Sequence, residues 1–241
     1  MTWVKICGIT NLEDALVAVD AGADAVGFVF YDKSPRCVTV ETAREIVSKL
    51  PESVEKIGVF VDVDSDPVNV LLQTGLSGTQ CYLTAEGFAG RRSGAIGMSL
   101  APPRFKNMVA LPVSLFGGEE SEFLAGDFSG FGKNVPAGVT FPEGVMDTFL
   151  LDSGSQRQPG GTGKAFDWKR AVLMAADMKQ VGIKLVVAGG LTPQNVGEAM
   201  EILEPWGVDV SSGVETSPGK KDPEKVRAFV RAVREIDRRV G

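Results

Sequence analysis

Eight short apolar runs, most rich in β-branched residues, alternate with amphipathic stretches along the 241 residues of the chain. This alternation constrains the fold more than any single motif does. The runs occupy residues 3–9, 25–30, 56–61, 79–83, 108–115, 147–151, 184–188 and 208–210, the sixth ending in Asp152. Helix starts are written between them. Thr10 and Asn11 offer caps with Glu13 or Asp14 three residues on, ahead of a helix carrying Leu16 and Val19. A second helix opens near Thr39, and Asp66-Pro67 reads as an N-cap followed by proline at the first helical position. Further helices are predicted from about Asp167, from Thr192-Pro193 and from Asp222-Pro223. The last of these places Val226, Phe229, Val230, Val233 and Ile236 on one face.

Eight strands alternating with helices over this length predict an α/β fold, a (β/α)8 barrel forming a single domain over residues 1–241. Buried parallel strands should read as near-continuous apolar runs, and these mostly do. A doubly wound open sheet would need fewer strands and a glycine-rich turn after the first. Cys7-Gly8-Ile9-Thr10 lacks the GxGxxG spacing of such a turn. Residues 116–146 do not fit the alternation: seven of these 31 residues are glycine, two are proline, and no helical period is sustained. They read as an irregular surface connection before the sixth strand, with an active-site lid as the sharper alternative.

Composition then narrows the chemistry. The chain contains no histidine, which excludes a Ser-His-Asp or Cys-His nucleophile, a histidine-bound zinc and an imidazole pH switch. Proton transfer must run through carboxylates, thiols, lysines or tyrosines. Three cysteines, Cys7, Cys37 and Cys81, contain no CxxC pair and no disulfide framework, which fits a reducing cytoplasm. No apolar stretch approaches the roughly 18 residues of a membrane span. Glu13 and Asp14 interrupt the place where a signal peptide's apolar run would sit. A net charge of −6 argues against nucleic acid as a partner. The eight lysines and arginines between Lys220 and Arg239 read as a solvated helix face. No outer helix shows an apolar patch that would decide between a monomer and a homodimer.

In a barrel, chemistry sits where strands run out into the following loops. Those positions hold Cys7 after the first run, Arg36 in the second loop, Asp152 and Gly160-Gly161-Thr162-Gly163-Lys164 after the sixth, Gly189-Gly190 after the seventh and Ser211-Ser212-Gly213 after the eighth. Glycines before a helix N-terminus expose N–H groups and a partial positive charge, an anion site. Gly189, Gly190, Ser212 and Gly213 therefore form a candidate phosphate site, although each glycine alone could simply serve a tight turn. Cys7 and Asp152 are candidates for a base and an acid. A thiol with its ordinary pKa of about 8.5 must be lowered to serve as the base, and a carboxylic acid protonates a leaving oxygen once burial raises its pKa. Cys7 could equally be an inert buried residue. Arg36 could be an ordinary loop charge or a bidentate clamp for a carboxylate.

Several of these segments, taken in order, resemble one family. Lys5-Ile6-Cys7-Gly8-Ile9-Thr10, Asp14-Ala15, the stretch from Ala21 to Phe30 and Ser34-Pro35-Arg36 are similar to the N-terminal motifs of phosphoribosylanthranilate isomerases. Leu151-Asp152-Ser153, Gly160-Gly161-Thr162-Gly163, Phe166-Asp167-Trp168, the stretch from Ala188 to Val196 and the stretch from Val210 to Glu215 resemble the later ones. The resemblance implies a cofactor-free Amadori rearrangement in tryptophan biosynthesis, from N-(5-phosphoribosyl)anthranilate to 1-(2-carboxyphenylamino)-1-deoxyribulose 5-phosphate. It places Asp152 as general acid and Cys7 as general base. Arg36 is placed on the anthranilate end and Gly189, Gly190, Ser212 and Gly213 on the phosphate. It departs at the fourth strand, where the family's usual Gln-Leu-His-Gly reads Gln80-Cys81-Tyr82-Leu83. Two alternatives stay open at this stage. One is a related aminoaldose-phosphate isomerase, which would use two aspartates. The other is a catalytically silent barrel that binds a phosphorylated sugar.

Overall fold

A computed structural model describes residues 1–61, 66–82, 105–112, 148–153, 165–180 and 182–240. Eight parallel strands close into a barrel in sequence order: β1 (Trp3–Cys7), β2 (Ala25–Phe30), β3 (Glu55–Phe60), β4 (Gly78–Tyr82), β5 (Lys106–Pro112), β6 (Thr148–Asp152), β7 (Lys184–Val187) and β8 (Gly207–Val210). Closure is made by β1 pairing with β8, Lys5 lying opposite Asp209. The described helices are α1 (Leu12–Asp20), α2 (Val40–Val47), α3 (Pro67–Thr74), α4 (Val172–Gln180), α5 (Val196–Leu203) and α6 (Pro223–Val240). A short antiparallel pair, β9 (Glu215–Ser217) and β10 (Lys220–Lys221), precedes α6. The glycine-rich segment 116–146 and the loop 160–164 lie outside the described residues. None of the described helices is long and apolar enough to cross a membrane.

The alternation of side chains along each strand sorts the core into two layers. Val4 and Ile6 of β1, with Val26, Phe28, Leu151 and Val187, face outward and pack on the helices in the larger core. Trp3, Ala25, Ile57, Leu150 and Val186 fill the inside of the barrel towards its base. Cys7, Val29 and Val59 cluster at the opposite end, with Tyr31 and Tyr82 packed on them. The inward phase of β1 is therefore Trp3, Lys5, Cys7, and that of β6 is Thr148, Leu150, Asp152.

Helix starts follow their caps. The side chains of Asn11, Thr39 and Asp66 accept from the N–H groups of Asp14, Thr42 and Asn69, each satisfying one orphan donor of the first turn. One expectation shifts. Helix α5 begins at Val196 rather than at Thr192-Pro193, because Asn195 Oδ1 accepts from Thr192 N while its Nδ2 donates to Gly190 O, holding residues 192–195 as a turn. Helix α1 buries Asp14, Ala15 and Ala18, whereas Leu16 is 39 % exposed. Asp14 is turned inward because its Oδ2 accepts from Asn11 Nδ2 and from Lys221 N.

The last helix keeps its predicted apolar face, with Val226, Phe229, Val230 and Val233 buried. The reading of its basic residues as a solvated face fails at two positions. Lys221 is 1 % exposed and donates to Glu215 Oε1 at 2.9 Å. Arg234 donates to Gly22 O and Asp24 Oδ2, and with Asp237 it ties α6 to the start of the chain through Thr2.

Candidate active site

At the C-terminal end of the strands a pocket of about 400 Å³ opens. All seven residues singled out from the sequence line it: Cys7, Arg36, Asp152, Gly189, Gly190, Ser212 and Gly213. Strand phase accounts for the two reactive groups, since Cys7 and Asp152 are the last inward residues of β1 and β6. Gly27 is needed beside them on β2. A Cβ there would stand 2.8 Å from Cys7 Sγ and 3.0 Å from Lys5 Cε, so glycine leaves the room in which thiol and ammonium lie side by side.

Sequence reasoning passed over the charge beneath the thiol. Lys5 is fully buried, pairs with Asp209 Oδ1 at 3.0 Å and donates to Gln80 Oε1 at 2.8 Å. Burial by itself pulls the Lys5 pKa down, but Asp209 and Cys7 together hold it above its ordinary value. The ammonium therefore stays charged inside the barrel. Its signal in the sequence is phase: Lys5 and Asp209 sit in apolar runs at inward positions, where a charge requires a partner. Lys5→Met is expected to cost about 3–5 kcal/mol of stability, because it leaves the Asp209 carboxylate buried and unpaired. Urea unfolding of Lys5→Met and of Lys5→Met/Asp209→Asn checks this. The double variant should recover part of the loss, and an unchanged midpoint for the single one would contradict the account.

The thiol does not have the lowered pKa that a base at neutral pH calls for. Burial pushes Cys7 up, and this outweighs the opposing pull of Lys5 and Lys221. Tyr82, at the end of β4, donates its hydroxyl to Asp152 Oδ2 at 2.6 Å. Burial and the neighbouring carboxylate push its phenol well above the usual value.

Arg36 reaches the mouth from the loop after β2, where its N–H donates to Ser34 Oγ. Gly8, with φ +78°, leaves it space, since a Cβ there would stand 2.6 Å from Arg36 Cδ. The guanidinium is already bidentate: Nε and Nη2 donate to Glu215 Oε1 and Oε2 at 2.8 and 2.7 Å. These bonds hold the Arg36 pKa further up. Glu215 was not assigned from the sequence. Its burial would raise it, yet Arg36 and Lys221 bring it below its ordinary value. One edge of the Arg36 fork is thus taken, and Nη1 has no hydrogen-bond partner among the described residues.

The two loops after β7 and β8 meet as expected of an anion cradle. Gly189 and Gly190 have φ +80° and +65°, a region that favours glycine. A Cβ at Gly213 would stand 1.8 Å from Leu191 O, so the two loops touch backbone to backbone. Among the described residues no acceptor takes the N–H groups of Gly189, Gly190, Ser212 or Gly213. Ser211 Oγ, on the pocket wall, is buried without a hydrogen-bond partner. Unpaired donors gathered at one concave spot suit a phosphate.

Residues 4–80 and 134–232 match the family model described as N-(5'phosphoribosyl)anthranilate (PRA) isomerase. The N-(5'-phosphoribosyl)anthranilate isomerase of Geobacter sp. (strain M21) is 41 % identical over 98 % of this chain and 100 % of that protein. The enzyme of the same name from Chlorobaculum parvum is 39 % identical over 99 % and 97 %. Among solved structures, phosphoribosyl anthranilate isomerase from Thermotoga maritima superposes with a TM-score of 0.70 at 34 % identity, covering 98 % of this chain and 100 % of that one. A phosphoribosyl anthranilate isomerase in complex with reduced 1-(o-carboxyphenylamino)-1-deoxyribulose 5-phosphate superposes with a TM-score of 0.68 at 32 % identity, with the same coverage.

Proposed function

The chain belongs to the N-(5'-phosphoribosyl)anthranilate isomerase family, and on that premise we propose how its own residues perform the reaction. The enzyme converts N-(5'-phosphoribosyl)anthranilate into 1-(2-carboxyphenylamino)-1-deoxyribulose 5-phosphate, a step of tryptophan biosynthesis. The observation that carries the residue assignment is one pocket lined by a thiol, a carboxyl, an arginine and two glycine loops with unpaired N–H groups. The substrate phosphate lies on Gly189, Gly190, Ser212 and Gly213, which orients the ribose over the barrel mouth. Asp152 gives its proton to the furanose ring oxygen as the bond from that oxygen to C1 breaks. The anthranilate nitrogen supplies its electron pair to C1, forming an iminium. Cys7, as thiolate, removes the proton from C2, and the electron pair of that C–H bond forms the double bond of an enolamine. Tautomerisation gives the ketone.

Lys5 supports the second step. Its charge and its hydrogen bond to Cys7 pull against the burial that raises the thiol's pKa. They limit that rise without reversing it, so the thiolate that acts as base is a minor form at neutral pH, stabilised by the adjacent ammonium. The Arg36 side chain meets the anthranilate carboxylate through Nη1, while Glu215 fixes the guanidinium plane. Residues 1–241 are read as one barrel domain, which the pairing of β1 with β8 supports. A reducing cytoplasm suits the reading, because the base must remain a free thiol, as Cys7 is.

The phosphate assignment is tested by Gly213→Ala. The added methyl collides with backbone rather than a movable side chain, so the two loops must part. KM, followed by the loss of substrate fluorescence, is expected to rise about tenfold or more, with a smaller change in kcat, because binding common to ground and transition states is lost. Inhibition by inorganic phosphate should weaken in parallel. A variant with wild-type KM would remove these loops from the phosphate site.

A further inference from the structure

We infer that Tyr82 is a positioning residue for the proton donor: its hydroxyl holds Asp152 by Oδ2. The inference rests on the reading of Asp152 as general acid. It assigns a role to the strand-four position where the family's usual histidine is absent.

Tyr82 closes β4 on the inward phase it shares with Gln80, and Gln80 is bonded to Lys5 deeper in the barrel. One strand thereby touches both halves of the chemistry, the ammonium beside the thiol and the carboxyl of the acid. The ring packs against the cluster of Cys7, Val29 and Val59 and against the inner barrel cluster that contains Ala110 and Leu150. Its hydroxyl is therefore delivered by a wedged side chain rather than by a mobile one. The 2.6 Å separation from Oδ2 is that of a strong O–H···O bond to a carboxyl group. Burial and the carboxylate keep the phenol protonated through the working range, so it stays a donor.

Two consequences follow. The grip on Oδ2 restrains rotation of the carboxyl and so narrows the directions in which it can present its proton. Once that proton has left, the same hydroxyl donates to the carboxylate and stabilises it.

The test uses the full chain as wild type, Tyr82→Phe and Asp152→Asn. Phenylalanine keeps the ring and its packing and removes only the donor. With the hold on Oδ2 removed, kcat of Tyr82→Phe is expected to fall about tenfold while KM stays within about twofold. A carboxyl carbon NMR titration, the Asp152 signal assigned by its loss in Asp152→Asn, should move upward by about half a pH unit or more in Tyr82→Phe. A purely structural role for the tyrosine would not displace that titration. An inactive Asp152→Asn alongside a Tyr82→Phe with wild-type kcat, or with an unmoved titration, overturns the role of Tyr82 alone. An Asp152→Asn enzyme that turns over normally overturns the acid assignment and Tyr82's part in it together.

Discussion

Asp152→Asn is expected to lower kcat by about a thousandfold or more, the upper part of the range for removing a general acid, with KM little changed. The amide keeps the shape of the carboxyl and can still accept from Tyr82, so the variant should fold with the same unfolding midpoint. It has no acidic proton to give. Ring opening would then have to expel an alkoxide from C1, and no other described side chain on the pocket wall is a carboxylic acid apart from Asp209, which is paired with Lys5. Loss of substrate fluorescence under saturating conditions measures kcat directly, and single-turnover runs separate chemistry from product release. The position of Asp152 makes this sharp. As the last inward residue of β6, packed above Leu150, it is 4 % exposed, so bulk water has little access to take over its task.

Cys7→Ser is expected to cost kcat about a hundredfold to a thousandfold. Serine fits the space that Gly27 leaves, but its hydroxyl ionises far less readily than a thiol. The variant should retain phosphate-dependent binding of a product analogue. The wild-type thiol carries its own pH signature. Its pKa is raised by burial, so in the folded protein the thiolate should form only above the ordinary thiol range of about 8.5. Stability changes with the same proton. The unfolded chain loses it at lower pH than the folded one, so this group's contribution is intact below the unfolded pKa and declines as pH rises through the folded one. Ultraviolet thiolate absorbance of wild type minus Cys7→Ser reads the titration. A midpoint below the ordinary range would mean that Lys5 outweighs burial, and would overturn the raised pKa.

Much of the site was legible because chemistry in a barrel collects at strand ends, and strand ends can be read from runs. Cys7, Arg36, Asp152 and the two glycine loops were found in that way, and the structure brings all of them to one pocket. The missed residues share a different cause. Lys5 and Asp209 pair across the β1–β8 seam that closes the barrel, a contact between residues 204 positions apart (209 − 5) that no local pattern announces. Lys221 read as part of a solvated basic face, and Glu215 had no role assigned from the sequence. They are buried because the β9–β10 turn folds back beside Arg36 and because Lys221 N donates to Asp14 of α1.

The sequence alone determined the repeating strand–helix order, the caps that start most of the helices, and the residue types capable of proton transfer. These are local properties, set by periodicity and by the absence of histidine. Only the tertiary structure decided which charges are buried, that the thiol's pKa is raised rather than lowered, that Arg36 is already engaged, and that Tyr82 holds the acid. Each of those depends on groups brought together by closure of the barrel, where low dielectric and fixed distance, rather than composition, set the energy of a charge.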